Sequence, residues 1–359
     1  MVCIVAFFVV LVLSAVSAKY RKLLGRAWGC FARRVTFRAC DTSFRDDVKS
    51  SMLAPLAVRA PRLVRPASIA IEIVAWIMVL SLIVSLYLLG RSGLNLFVYG
   101  TCDKQDAQAC TLAAQSCSIG GEDPGFWASI GTGDVVGAFG REFASLGDTI
   151  STIPSRLREW DAADYAAPGA TYLGGYVEGR PVALEVLDPG CRFCAELFRN
   201  MQASGFHETH NVTYLVYPIR SDFGYKFANS PLVASYLTAV RAWEAANGGS
   251  AGETGDWYIL EQLFTTDAAD GQTTQEWMNA ASAGDAEARL QEWLADAGYT
   301  PDEVAEIVAL TTSDEVAATL EATRTVVEDE IRTVAIPSLI GGGRLHSGLV
   351  DVDALRGMD

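Results

Sequence analysis

Residues 69–89, IAIEIVAWIMVLSLIVSLYLL, contain one charged side chain in 21 positions. A helix needs about 20 consecutive apolar residues to cross the hydrocarbon core of a bilayer, with about 17 as the lower limit. Residues 2–18 form a second such stretch, with no charge in 17 positions. Both stretches are therefore predicted to be transmembrane helices, and the rest of the chain must be arranged around them.

The first stretch has an alternative interpretation as a cleaved signal peptide, because AVSA before Lys19 resembles a small-residue cleavage site. However, no Lys or Arg precedes the apolar run, where a signal peptide carries its positive charge. Residues 19–65 carry 12 Lys and Arg against three Asp, and short basic loops stay in the cytoplasm. We therefore predict a membrane helix at 1–18, a basic cytoplasmic loop at 19–68 and a second membrane helix at 69–89. The N-terminus and everything after the second helix are then extracytoplasmic.

The region after the second span is strongly acidic. Residues 90–359 carry 16 Lys and Arg against 39 Asp and Glu, a net charge of −23, and their only lysines are Lys104 and Lys226. A surface of this sign disfavours nucleic acid as a partner. An acidic, lysine-poor surface suits a protein kept soluble at high salt, so a halophilic source is one hypothesis. An acidic domain without that adaptation is the alternative.

Residues 90–169 are predicted to form an extracytoplasmic linker that contains glycines, cysteines and an amphipathic helix. The apolar residues of this helix recur at helical spacing: Val135, Phe139, Phe143, Leu146 and Ile150. We expect the helix to pack on the domain that follows. A position on the membrane surface is the alternative.

Three cysteines of the linker, Cys102, Cys110 and Cys117, would lie in an oxidising space, where thiols tend to pair. Three thiols cannot all pair among themselves, and Cys3 near the outer end of the first span would complete an even set. We expect one structural disulfide within 102–117, and the sequence does not assign the pair. The alternative is that one of the three exchanges electrons with the cysteine pair at 191 and 194.

From residue 170 onward, strand and helix patterns alternate. TYLGGYV and PVALEVL are typical of strands, CAELFRNMQAS of a helix, and VTYLVYPI of another strand. A helical block follows over about 230–332. The chain ends with the strand patterns VAIPSLI and LHSGLV and the helical pattern DVDALRGM. This order predicts an α/β domain over 170–359 that is interrupted by a helical insertion.

Cys191 and Cys194, in DPGCRFCAEL, stand at the start of the first helix of this domain, directly after a strand. Together with the helical insertion and the late strand that contains Ile336 and Pro337, they resemble the thioredoxin superfamily, and specifically its DsbA-like thiol–disulfide oxidoreductases. The resemblance covers about 190 residues. It implies a thioredoxin-like α/β fold with an inserted helical subdomain, which the two transmembrane helices precede.

The position of the two cysteines predicts different roles for them. If Cys191 is the N-cap of the helix, the helix N-terminus favours its thiolate, and Arg192 adds a cation beside it. Cys194 lies one turn deeper and should stay protonated longer. Cys191 is then the sulfur that attacks or is attacked, and Cys194 is the resolving thiol. The alternative for Arg192 is a solvated side chain without a tuning role.

Glu185 stands six residues before Cys191, inside a strand. The family commonly places a buried carboxylate there that relays the proton of the resolving thiol, so the resemblance implies this catalytic role. A polar residue at the edge of the sheet is the alternative. The resemblance also implies a cis-proline at Pro337, with the backbone of Ile336 binding an extended substrate segment. The Ile-Pro pair is similar to that of reducing thioredoxins, whereas Arg192 favours an oxidant, so the direction of electron flow stays open.

The sequence thus predicts a membrane-anchored, extracytoplasmic thiol–disulfide oxidoreductase. Its partners would be cysteine-containing proteins, an unidentified membrane redox partner and the lipid bilayer. The Cys191–Cys194 disulfide would be its redox group, with no organic cofactor and no metal. His207 and His210 have the spacing of a metal pair, but no third ligand is evident. Two other classes remain open: a copper-binding metallochaperone of thioredoxin fold, and a non-catalytic thioredoxin-like adaptor.

Overall fold

The computed structural model describes residue 58 and residues 61–106, 115–119, 125–221, 224–248, 254–268 and 271–358. The chain divides into two compact units, Met1–Gly90 and Arg91–Asp359. The predicted span at 1–18 and most of the basic loop lie outside the described residues, as do Cys3 and Cys110.

The helices and strands of the described residues are numbered here in chain order. They are α1 (Val64–Tyr99), β1 (Cys117–Ser118), α2 (Phe126–Gly131), α3 (Val135–Leu157), β2 (Val182–Leu187), α4 (Arg192–Ser204), α5 (Phe206–Thr209), β3 (Asn211–Val216), β4 (Arg220–Ser221), β5 (Gly224–Tyr225), α6 (Ser230–Ala246), α7 (Gly255–Thr265), α8 (Thr274–Ala280), α9 (Ala283–Asp296), α10 (Pro301–Leu310), α11 (Asp314–Thr325), β6 (Ala335–Ile336), β7 (Ser338–Gly341), β8 (Arg344–Ser347) and α12 (Val352–Arg356). Short 3-10 turns cover Pro61–Leu63 and Ala162–Tyr165, and a π-helical turn, Val326–Ile331, follows α11.

The second predicted span lies in α1, which begins at Val64 and continues to Tyr99. Pro66 stands in its first turn, where the missing N–H of proline would have had no partner. Pro61–Tyr99 is long and apolar enough to cross a membrane, and no other helix among the described residues is. The two-span anchor is therefore not supported as a whole: one candidate span is present, and the other lies outside the described residues.

The second unit contains a four-stranded sheet with the strand order β3-β2-β7-β8. β2 runs parallel to β3 and antiparallel to β7, and β7 runs antiparallel to β8. Parallel neighbours need a crossover connection, which α4 supplies between β2 and β3. Both strands are almost wholly buried, which explains their nearly continuous apolar sequences. The sheet and its helices form the thioredoxin-like α/β fold that the resemblance implied.

The helical insertion consists of α6 to α11 and stands between β3 and β6 in the chain. Capping boxes at Thr273 and Thr300 begin α8 and α10, and Pro301 occupies the first turn of α10. The insertion packs on the helix that carries the cysteines, because Phe198 of α4 contacts the rings of Trp257 and Phe264 in α7. It therefore helps to fix the position of α4.

The strand predicted for TYLGGYV is absent. Within 171–177 only Leu173 and Gly174 form a turn, and Gly174 and Gly175 have positive φ angles that a strand cannot accommodate. The segment is nevertheless held against the sheet, because the N–H of Leu173 donates to the carbonyl of Val212, 3.0 Å away. The sequence does alternate as in a strand, but the two glycines adopt a backbone conformation that interrupts a strand.

The amphipathic helix predicted in the linker corresponds to α3. It contacts the following domain through its polar face: Arg156 donates to the carbonyl oxygens of Ile331 and Arg332. Its apolar residues Phe139 and Phe143 are exposed. Hydrogen bonds from Arg156 to backbone carbonyls therefore help to hold this helix against the domain.

Candidate active site

The two cysteines of DPGCRFC lie where β2 gives way to α4. Cys191 is the N-cap residue of α4, as predicted, and Cys194 stands in the first turn. The N–H of Cys194 donates to the carbonyl oxygen of Cys191 at 3.0 Å. Both cysteines are fully buried. Cys191 therefore stands at the N-terminal end of the helix, and Cys194 stands in the turn that follows.

Cys191 forms a disulfide with Cys117, and Cys194 is a free thiol. The expected Cys191–Cys194 disulfide is therefore not the one in this structure. Cys102 is also disulfide-bonded, though not to Cys117, so the disulfide expected within 102–117 stays a prediction. Cys191 pairs with Cys117 because the linker brings Cys117 to the start of α4, with 6.3 Å between the Cα atoms of Cys117 and Cys191. This distance lies in the range that a disulfide bridges.

The segment around Cys117 lies beside the strand that precedes Pro337. β1 pairs antiparallel with β6, and Cys117 lies opposite Ile336 in this register. The N–H of Ile119 donates to the carbonyl of Val334 at 2.9 Å. The backbone of Ile336 thus binds an extended cysteine-containing segment, and in this structure that segment belongs to the same chain.

The residues next to the disulfide complete this arrangement. The Sγ of Cys191 lies 3.6 Å from the carbonyl oxygen of Ile336. The peptide bond between Ile336 and Pro337 is cis, as the resemblance implied. On the other side of the segment, the N–H of Leu349 donates to the carbonyl of Gln115 at 2.8 Å. The segment 115–119 is therefore held by backbone hydrogen bonds near both ends.

Glu185 is fully buried on a strand inside the sheet, so the interpretation as a polar edge residue is wrong. It lies opposite Tyr214 of β3 and Leu339 of β7. Neither carboxyl oxygen has a hydrogen-bond partner, and burial raises the pKa of Glu185 well above its usual value. The carboxyl group is thus kept protonated beyond its ordinary range.

The pKa of the Cys194 thiol is also raised well above its usual value. Burial is the main cause, and the negative charge of ionised Glu185 raises this pKa further. The backbone N–H of Asp188 donates to the sulfur at 3.5 Å and opposes the rise only in part. Glu185 and Cys194 therefore interact electrostatically inside the protein, and each disfavours ionisation of the other.

Asp188 organises the turn that leads to Cys191, a role that the sequence did not reveal. Its carboxylate accepts hydrogen bonds from the backbone N–H of Gly190 at 2.8 Å and of Ile219 at 2.7 Å, and a short one from the hydroxyl of Ser230. Burial nevertheless raises the pKa of Asp188 to about 6. The aspartate in the DPG turn was the available signal, since aspartate commonly bonds backbone N–H groups in turns.

The helical insertion holds the carbonyl side of the same turn. Gln275 of α8 donates to the carbonyls of Pro189 at 2.7 Å and Cys191 at 3.0 Å. Asn279 donates to the carbonyl of Gly190 at 3.0 Å. Local sequence patterns do not predict these contacts, because about 85 residues separate the partners along the chain.

Arg192 is exposed at the edge of an open cleft beside the disulfide. Its guanidinium lies 4.6 Å from the ring centroid of Phe193. The cleft has a volume of about 510 Å³, and its lining includes Cys117, Arg192, Phe193, Lys226, Phe227 and Gln275. Thiolate tuning by Arg192 stays a prediction, and its position suits contact with a partner in the cleft.

The two histidines considered as a metal pair have other contacts. The ring of His210 is buried and stacks on Phe206 at 4.0 Å, and Nδ1 of His207 lies 3.3 Å from the carbonyl of Met201. Within the described part of the chain, no group of three or more His, Cys, Asp and Glu side chains is placed to hold a metal ion.

Comparisons with known proteins give structural likenesses only, since neither a family model nor a curated protein matches the chain. A thioredoxin-like oxidoreductase from Silicibacter pomeroyi DSS-3 is 16% identical over 54% of this chain and 91% of its own, with a TM-score of 0.36. The thiol-disulfide exchange protein alpha-DsbA2 from Wolbachia pipientis is 16% identical over 52% and 84%, with a TM-score of 0.37. MdbA, a thiol-disulfide oxidoreductase from Corynebacterium diphtheriae, is 14% identical over 49% and 88%, with a TM-score of 0.33. At these values the likeness says nothing of substrates or of the direction of electron flow.

Proposed function

We propose that the chain is a thiol–disulfide oxidoreductase that acts on protein cysteines through Cys191 and Cys194. One observation carries the proposal: Cys191, at the N-cap of α4, is bonded to the cysteine of an added strand, while Cys194 is a free thiol one turn away. This is the arrangement of a mixed disulfide with a resolving thiol beneath it. A structural staple would have no use for the second thiol.

The chemistry follows from these positions. A protein cysteine bonded to Cys191 is released when the thiolate of Cys194 attacks the Sγ of Cys191. The bond between Cys191 and the protein breaks, a Cys191–Cys194 disulfide forms, and the departing sulfur takes up a proton. The reverse sequence oxidises a protein thiol. The total number of electrons is unchanged in each step, so the direction depends on the partner that renews the dithiol or disulfide.

Glu185 supplies a place for the proton of Cys194. Attack requires the thiolate, but burial and the charge of Glu185 both hold the pKa of Cys194 high. Transfer of the thiol proton to the ionised carboxylate removes both obstacles, because the carboxyl becomes neutral as the sulfur becomes charged. The raised pKa of Glu185 makes its carboxylate a stronger base, which suits it to accept and return that proton.

We further propose that α1 anchors the protein in a membrane, with the unit that begins at Arg91 on the extracytoplasmic side. The length and apolar composition of Pro61–Tyr99 support the anchor, and the basic segment that precedes it supports the orientation. Cysteine-containing proteins outside the cytoplasm would be the substrates. A membrane redox partner would renew the dithiol or disulfide.

The experiment that tests this function is thiol exchange by the full chain in detergent. Glutathione disulfide and a reduced cysteine peptide serve as the probes, and oxidation of the peptide is followed with time. We expect the chain to accelerate the exchange and Cys191→Ser to abolish the acceleration. Exchange at the uncatalysed rate with the unaltered chain, in both directions, would contradict the proposal.

A further inference from the structure

We propose that Cys117 is a third redox-active cysteine, and that the segment 115–119 is an internal substrate of the Cys191–Cys194 pair. The inference rests on the proposed function, because it names the first partner of that dithiol. It goes beyond that function in assigning a thiol-exchange role to the linker, which lies outside the thioredoxin-like fold.

The segment occupies the position where an extended substrate would bind by strand addition. Cys117 lies opposite Ile336, and Ser118 lies opposite Ala335. Because side chains alternate along a strand, Cys117 points to one face of the segment and Ser116 and Ser118 to the other. The register therefore selects Cys117 among these neighbours for the bond to Cys191.

Among the described residues, side chains make few hydrogen bonds to the segment. The hydroxyl of Ser118 donates to the carbonyl of Gln105 at 2.9 Å, and Nζ of Lys226 lies 3.4 Å from the carbonyl of Ser118. β1 has only two residues, and the pairing with β6 is equally short. A segment held in this way can leave once its disulfide is exchanged.

Because Cys191 is buried, the segment 115–119 controls whether an external substrate can reach it. Cys191 is 0% exposed, whereas Cys117 is 8% exposed and lines the open cleft of about 510 Å³. An external protein cannot add a strand beside Ile336 while 115–119 is in place. The segment must therefore be released before an external substrate binds.

The release step balances without an added oxidant or reductant. Cys194 loses its proton to the Glu185 carboxylate, and its thiolate attacks the Sγ of Cys191. The Cys117–Cys191 bond breaks, the Cys191–Cys194 bond forms, and the sulfur of Cys117 leaves as a thiolate that takes up a proton. Each side of the step has one disulfide and one thiol, so the two forms are isomers of the same oxidation state.

The test is peptide mapping of the full chain in detergent, equilibrated in glutathione buffers, quenched in acid and alkylated before digestion. Trypsin cleaves after Arg192, between the two cysteines, and does not cleave the Arg180–Pro181 bond. A Cys117–Cys191 bond therefore joins peptides 105–141 and 159–192, and a Cys191–Cys194 bond joins 159–192 and 193–199. We expect both linked peptide pairs in the unaltered chain. In Cys194→Ser we expect only the pair that contains the Cys117–Cys191 bond.

Two variants control the assignment. Cys117→Ser should lose the 105–141 linkage and keep the Cys191–Cys194 linkage, which also separates Cys117 from Cys110 on the same peptide. The double variant C117S/S118C keeps the number of thiols but moves one to the opposite face of β1. We expect it to lack the linkage between 105–141 and 159–192.

The outcomes separate this inference from the proposed function. If the unaltered chain shows only Cys191–Cys194 at every glutathione ratio, Cys117 has no exchange role and the proposed function stands. If it shows only Cys117–Cys191 until full reduction, that bond is a structural staple and the inference also fails. If Cys117→Ser forms no Cys191–Cys194 disulfide at any ratio, the proposed function itself fails.

Discussion

Cys117 lies opposite Ile336 in an antiparallel pair of strands, and its sulfur is bonded to that of Cys191. One short segment thus makes both contacts of a bound substrate: the backbone pairing beside Pro337 and the disulfide at the N-cap of α4. The free thiol of Cys194 lies within one helical turn of this bond. These relationships support the proposal that the segment 115–119 is the first substrate of the Cys191–Cys194 pair.

Replacement of Glu185 by Gln should slow resolution of a mixed disulfide. Gln keeps the shape of the side chain but cannot accept the proton of Cys194, and loss of general acid–base catalysis costs on the order of 10²-fold or more. The measurement is quenched-flow mass spectrometry of the Cys191–glutathione adduct in Cys117→Ser and in C117S/E185Q. The rate difference should change with pH, because Asp188 titrates in both variants and Glu185 titrates only in the first. Equal rates in the two variants at all pH values would rule out the relay.

The same substitution should change the pH dependence of stability. The folded-state pKa of Glu185 is raised, so the folded chain holds a proton that the unfolded chain loses as the pH rises past about 4.5. Stability is therefore lost progressively with rising pH between the unfolded and folded pKa values. Glu185→Gln removes this contribution, so its unfolding midpoint should exceed that of the unaltered chain at pH 8 and converge on it near pH 4. A constant difference across this range would contradict the burial of an unpaired carboxyl.

Asp188→Ala should destabilise the domain by about 2–4 kcal/mol, because it leaves the buried N–H of Ile219 and the buried hydroxyl of Ser230 without their acceptor. Urea unfolding of the oxidised chain, followed by tryptophan fluorescence, measures the change. The difference should be smaller at pH above 7 than at pH 4, since the pKa of Asp188 is raised to about 6 and its ionisation in the folded chain is disfavoured. A loss below about 0.5 kcal/mol, typical of surface substitutions, would show that the turn does not depend on this carboxylate.

Gly190→Ala tests the packing of the turn before Cys191. A Cβ atom at Gly190 would lie 2.4 Å from the Cβ and Cγ of Phe227 and 2.8 Å from Oδ1 of Asn279. Overpacking of this kind costs about 1–3 kcal/mol, and here it should also shift Cys191 and slow thiol exchange. Gly284→Ala in α9 is the matched control, because no atom lies within 4 Å of its added Cβ. If both variants retain the stability and exchange rate of the unaltered chain, the close packing at Gly190 is not needed to position Cys191.

Some of this site was predictable from the sequence. The strand, the N-cap and the helix around Cys191 were found because a buried parallel strand and an amphipathic helix have strong local patterns. Glu185 was named because the family it resembles commonly has a buried carboxylate six residues before the first cysteine, and a charge within an apolar strand is costly unless it serves a purpose. Both signals lie within a few residues of each other along the chain.

The other part depends on contacts that leave no local pattern. Cys117 and Cys191 are separated by 74 positions, and the strand pair that joins them is two residues long. Gln275 of the helical insertion contacts the turn. The spacing of apolar residues along a helix does not show which distant segment the helix packs against. The contact of α3 with the following domain is of the same kind, because Arg156 donates to carbonyls at positions remote in the chain.

The most direct test of the central claim is a redox titration of the full chain carrying Cys117→Ser, in detergent, against glutathione buffers with thiol trapping. We expect Cys191 and Cys194 to form a disulfide that is reversibly reduced within the range of the glutathione buffers or of a stronger dithiol. A potential near about −120 mV would identify a donor of disulfides, and one near about −270 mV a reductant supplied with electrons from elsewhere. If Cys191 and Cys194 form no reversible disulfide in this variant, the claim that they are a redox pair is wrong.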